Sequence, residues 1–174
     1  LGAPGDRKDA DGKLWLSYPR HRAYQETSLD IKLDLKPKFK TGGQFTSVSE
    51  TSQPIDGTTS PWLYTSWAED LEQLTLPLLG PQDQPATYTV RLHFARLGNV
   101  DREPIIFDVQ LQGKMALANL TLPIVPASPA GEAGGHAAAI VRVVENVRVA
   151  DHLVVDLVAK QGRPRLSAIE VVRN

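Results

Sequence analysis

The chain has 174 residues, 19 Lys plus Arg against 20 Asp plus Glu, and no cysteine. Near-neutral charge gives no basic surplus to draw a phosphate backbone, so a nucleic-acid partner is not expected. The missing cysteines remove disulfides, thiolate metal sites and a cysteine nucleophile.

From the first residue to Gly12 the sequence is polar and turn-rich, and residues 1–13 read as an irregular N-terminal arm. Asp9-Ala10-Asp11-Gly12 resembles part of a calcium loop, with Asp9 and Asp11 as candidate ligands. The EF-hand spacing fails, because Arg7 and Tyr18 stand where carboxylates belong. A looser calcium site or a solvated acidic turn remain as readings. No other cofactor is expected.

Leu14-Trp15-Leu16-Ser17-Tyr18 reads as a short strand stopped by Pro19. Over residues 28–36, Leu29, Ile31, Leu33 and Leu35 alternate with Asp30, Lys32, Asp34 and Lys36, the cleanest period of two in the chain, and Pro37 is expected to end it. A weakly hydrophobic stretch follows. It predicts a strand near Gln44–Ser49 and a loop through Pro54-Ile55-Asp56-Gly57. Trp62-Leu63-Tyr64-Thr65-Ser66-Trp67 gathers three of the few aromatics, and residues 71–79 read as a strand closed by Gly80-Pro81.

In Tyr88-Thr89-Val90-Arg91-Leu92-His93-Phe94-Ala95, Tyr88, Val90, Leu92 and Phe94 share one face. In Ile105-Ile106-Phe107-Asp108-Val109-Gln110-Leu111-Gln112, Ile105, Phe107, Val109 and Leu111 do the same. One apolar face at a period of two means half-buried antiparallel strands. Residues 115–125 are apolar, 126–135 form a Pro/Gly loop, and the β-branched run within 137–149 favours strand over helix. Residues 153–158 and 166–172 close the chain as strands around the turn Gln161-Gly162-Arg163-Pro164. About nine or ten short strands with Pro/Gly turns predict an all-β, jelly-roll-like antiparallel sandwich, residues 1–174 forming one domain.

The strands just quoted, with Leu153-Val154-Val155-Asp156-Leu157 and Ala168-Ile169-Glu170-Val171, resemble the malectin and malectin-like carbohydrate-binding family. That family runs Y-x-V-x-L-x-F-A-E, then F-D-V-x-(I/L)-x-G, then A-I-E-(I/V). The resemblance covers residues 86–173. It implies a jelly-roll-like sandwich, no catalysis, and a sugar site on loops at one end. The family's acid after F-A is Arg96 here, the loop Leu97–Glu103 has no aromatic, and Lys160-Gln161-Gly162-Arg163 has no carboxylate. The family's sugar contacts therefore do not transfer to this chain.

Sugar binding needs flat apolar faces for the C–H side of a pyranose and polar groups at its hydroxyl edge. Trp62, Tyr64 and Trp67 form one candidate platform; Trp15 and Tyr18, with Tyr24, form a second. For each set the alternative is core packing, where large aromatics usually lie. His93 falls on the polar face of its strand and is expected to be exposed or interfacial. The histidines lack metal spacing, Gly131–Gly135 lacks a phosphate-loop lysine, and no carboxylate pair stands out for glycoside hydrolysis. Asn119-Leu120-Thr121 is a formal glycosylation sequon.

Two functions follow. The first is a non-catalytic carbohydrate-binding module, not an enzyme, holding oligosaccharide or polysaccharide. The second is a structural or protein-interaction sandwich contacting neighbouring domains of its parent. The chain begins at Leu1 rather than Met and is expected to be a processed form or an excised piece of a larger secreted, periplasmic or cell-surface protein. No apolar run reaches the roughly 18 residues that a spanning helix needs, so membrane insertion is not expected.

Overall fold

The computed structural model describes residues 1–20, 33–52, 54–97, 103–122 and 137–174. Among these, two sheets face each other across a shared core. In chain order the strands are β1 (Arg7–Lys8), β2 (Leu14–Trp15), β3 (Lys36–Ser47), β4 (Ile55–Asp56), β5 (Ser66–Pro77), β6 (Ala86–Arg96) and β7 (Ile105–Leu111). They continue as β8 (Lys114–Leu122), β9 (Ala137–Val149), β10 (His152–Gln161), β11 (Arg165–Leu166) and β12 (Ala168–Arg173). A 3-10 turn, Pro61–Tyr64, precedes β5.

The larger sheet runs β5-β10-β7-β8, with β3 along the other flank of β5 and β11 beside its first residues. The smaller runs β12-β6-β9-β4, antiparallel except where β4 meets β9. The alternation of β6 and β7 puts Val90, Leu92 and Phe94 of one sheet against Phe107, Val109 and Leu111 of the other. Phe94 and Phe107 meet across the gap at 5.7 Å between ring centroids. A second cluster at one end joins Ile55, Tyr64, Trp67, Ala95, Leu97 and Ala137. This is the expected all-β sandwich.

Several local expectations change. The alternating segment 28–36 lies outside the described residues up to 32, and Leu33 to Leu35 are irregular. Pro37 does not end a strand; it sits inside β3, opposite Leu74. An outer strand tolerates a residue with no N–H to donate, whereas a central one does not. Leu14 to Tyr18 supplies only the two residues of β2, and the arm is less irregular than expected, because β1 pairs with β2 as a hairpin. Ile55–Asp56, expected as loop, forms β4.

β3 also carries a large bulge. Phe39 faces Leu71 and Gln44 faces Glu69, so residues 40–43 bow out opposite Asp70. Gly43 permits this: a Cβ there would meet the Glu69 carbonyl oxygen at 2.9 Å. Arg163 clamps the bulge, its Nε donating to Asp70 Oδ2 at 2.6 Å and its Nη2 to the Gly42 carbonyl at 3.1 Å.

Candidate functional site

Two aspartates shape the arm. Asp6 accepts hydrogen bonds from the Ser17 amide (2.8 Å) and hydroxyl (2.9 Å), and pairs with Arg20 at 2.9 Å. Asp9 accepts from the amides of Asp11 (3.1 Å) and Lys13 (2.9 Å) and from the Trp15 indole Nε1 (2.9 Å). The Trp15 hydrogen bond leads the contacts that hold the Asp9 carboxyl below its ordinary range. Carboxylate oxygens aimed at N–H donors form a turn, the local geometry that Asp favours. Among the described residues no three His, Cys, Asp or Glu side chains cluster around Asp9 and Asp11.

Held this way, the arm lies across one end of the sandwich. Trp15 meets His93 edge to face, with centroids 5.2 Å apart and planes at 85°. The Tyr18 hydroxyl donates to the Leu35 carbonyl at 2.7 Å, and the Gly2 amide donates to the Tyr18 carbonyl at 2.6 Å. Burial, followed by the nearby Asp34 charge, raises the Tyr18 pKa. Arg7 places its guanidinium 4.9 Å from the Trp62 ring centroid.

Between arm and body is a cavity of about 270 Å³. Trp15, Tyr18 and Trp62 line it together with Leu35 and Leu63, and Glu170 and Lys13 stand among its polar lining groups. Glu170 accepts from both Lys13 Nζ and Arg91 Nη1 at 3.0 Å. The cavity thus unites members of both platforms predicted from the sequence, residues 44 or more positions apart. It combines aromatic and aliphatic walls with an ion-paired carboxylate, a composition suited to an amphipathic ligand.

The other aromatics lie elsewhere. Trp67 is 1% exposed and Tyr64 is 2% exposed, so both belong to the second core cluster and offer no face to a ligand in solution. Trp67 instead packs under the buried Arg165 guanidinium, 4.8 Å from its ring centroid. Tyr24 lies outside the described residues. His93, expected to be exposed or interfacial, is 7% exposed and lies where the arm meets the sandwich. Alternation placed it on the outward face, but the arm covers that face. Its Nδ1 lies 3.0 Å from the Tyr64 hydroxyl, while its Nε2 finds no hydrogen-bond partner among the described residues. Burial pushes the His93 pKa down to about 4 and that of Tyr64 up to about 12. Strand alternation alone carries no signal for a covering arm. The aromatic at Trp15 was the clue available in sequence.

Arg96, at the position of the family's acid, is also buried. It donates to the carbonyls of Leu122 and Glu103, tying β6 to the end of β8 and the start of β7. Its role here is structural.

No protein-family model matches the chain, and no characterised protein matches it by sequence. Solved structures do match in shape. A β-glucuronidase of Bacteroides uniformis superposes with a TM-score of 0.66 at 14% identity, over 100% of this chain and 17% of that one. The ANXUR2 extracellular domain of Arabidopsis thaliana superposes at 0.58 and 15% identity, over 99% of this chain and 46% of that one. A complex of the plant peptide RALF23 with FER and LLG2 matches at 0.57 and 14% identity, again over 99% of this chain and 46% of the matched one. The chain therefore spans about a sixth of the glucuronidase and under half of the other two chains. At these identities the likeness is one of fold, and it supports a malectin-like β-sandwich.

Proposed function

We propose that this chain is a non-catalytic carbohydrate-binding module of a larger extracytoplasmic protein, and that the cavity beneath the arm holds a sugar. The observation that carries the reading is the convergence of Trp15, Tyr18 and Trp62 on one cavity with Glu170 and Lys13 among its lining groups. The aromatic and aliphatic walls would take the C–H face of a pyranose. Glu170 would accept, and Lys13 donate, hydrogen bonds at its hydroxyls. A volume of about 270 Å³ is near the lower end of ligand pockets, roughly 300–1,000 Å³, and fits a chain end or short oligosaccharide.

An extracellular domain and a module-sized part of a β-glucuronidase among the matched folds support the setting. The RALF23 complex favours a second reading, a protein-interaction sandwich that recognises a peptide. A glycan array followed by calorimetric titration tests the proposal. Binding that disappears in Trp62→Ala, with folding retained, supports the sugar reading. Silence across neutral and acidic glycans leaves the peptide reading.

A further inference from the structure

The outer face of the larger sheet carries a second feature, remote from the arm cavity. Strand register aligns Lys38 with Gln73, Gln73 with Asp156, and Asp156 with Gln110. These four side chains form one row across β3, β5, β10 and β7. At about 4.8 Å per strand the row spans about 14 Å. It lies in a hollow of about 510 Å³ that also includes Val158 and Lys40. Breaks in register surround it, after Lys38 in β3, after Ala159 in β10 and before Gln110 in β7. Such bulges bend and twist their strands.

We infer that this hollow is a second binding surface, for an extended, uncharged, hydroxyl-rich chain such as a neutral polysaccharide. Three observations select that chemistry. Primary amides at Gln73 and Gln110 both donate and accept, as sugar hydroxyls do, and the Asp156 carboxylate between them accepts from Gln73 Nε2 at 2.7 Å. Lys38 pairs with Glu72 at 3.2 Å and Asp70 with Arg163 at 2.6 Å, and the remaining charged groups are one cation, Lys40, and one anion, Asp156, so the hollow has no net surplus of either sign. A polyanion or polycation would therefore meet no complementary field. Val158, 43% exposed, offers a low apolar floor next to the polar row, as the C–H edges of a sugar chain require. A hollow open along the row admits internal segments of a chain, whereas the arm cavity suits a chain end.

The test is affinity electrophoresis in gels containing xyloglucan, galactomannan, arabinoxylan or hydroxyethylcellulose, with polygalacturonate as the acidic comparison. The proteins compared are wild type, Gln73→Ala/Gln110→Ala, Asp156→Asn and Trp62→Ala, with thermal midpoints confirming that each is folded. Expected is retardation by at least one neutral polysaccharide, weakened at least about tenfold in the double variant and preserved in Trp62→Ala. Asp156→Asn keeps the shape of the row and retains most of the binding. Three results overturn the inference: no retardation by any neutral polysaccharide, retardation by polygalacturonate alone, or retardation lost in Trp62→Ala but unchanged in the double variant. The last would leave the arm cavity as the sugar site and remove this one. Loss in the double variant with silence in the oligosaccharide titrations would do the reverse.

Discussion

The Tyr64 hydroxyl and His93 Nδ1 lie 3.0 Å apart inside the protein, sealed from above by Trp15. Burial is the first cause of the fall in the His93 pKa from 6.5 to about 4. Glu170 opposes that fall, while Lys13 and Arg91 add to it. The folded state keeps His93 neutral over a range in which the unfolded chain protonates it. Stability contributed by the neutral ring is complete above the unfolded value of about 6.5 and is lost as pH falls toward the folded value. Unfolding free energy should therefore drop by about 2 kcal/mol between about pH 7 and pH 5. Denaturant titrations at several pH values check this. A His93→Gln variant should lack that slope.

If the arm cavity binds sugar, Trp15→Ala and Trp62→Ala should each weaken binding by about tenfold or more, since each removes one aromatic wall. Trp67→Phe should leave affinity unchanged while lowering the melting temperature, because Trp67 lies in the core. Calorimetry with the best ligand from the array, alongside thermal melts, separates the two effects.

Asp9→Ala removes the acceptor shared by the Asp11 and Lys13 amides and the Trp15 indole. The arm hairpin should loosen while the sandwich stays intact. The expected signature is a red-shifted tryptophan emission and faster tryptic cleavage after Arg7, Lys8 or Lys13, with an unchanged far-ultraviolet spectrum.

Glu69 is held between two arginines, Arg163 at 2.7 Å and the fully buried Arg165 at 3.2 Å. Glu69→Ala takes away a carboxylate opposite a buried guanidinium and should cost about 3 kcal/mol or more, read from chemical denaturation.

Gly162 has a φ of 68°, and a Cβ there would meet the Pro104 carbonyl oxygen at 2.7 Å. Gly162→Ala should destabilise by about 2 kcal/mol or more, combining left-handed strain with a backbone clash. Thermal melts of the variant beside Gly113→Ala, where φ is also positive but the space is open, isolate the clash.

The sandwich was readable because β6 and β7 each bury one face, and burial follows alternation directly. The turn at Gly162 and the strand through residues 137–149 were readable for the same local reasons. What escaped depended on contacts between distant segments. Pro37 reads as a strand breaker until β3 is known to lie at the flank of β5, where nothing needs its missing N–H. His93 reads as outward until the arm, 78 positions earlier at Trp15, is known to fold over it. Of the six aromatics singled out in sequence, Trp15, Tyr18 and Trp62 line one cavity, Tyr64 and Trp67 are core, and Tyr24 lies outside the described residues. Composition could not divide them, because a ring suited to stacking on a sugar is equally suited to packing inside.

The flank strand β3 has one further consequence. Lys36, Lys38 and Lys40 are exposed along it, Pro37 interrupts its row of donors, and residues 40–43 bow away from the sheet. A neighbouring chain seeking to add itself to this margin would find missing amides, crowded ammonium groups and a broken outline, the features by which β proteins resist edge-to-edge aggregation. Among the described residues, that margin is therefore poorly suited to edge-to-edge pairing with a second copy.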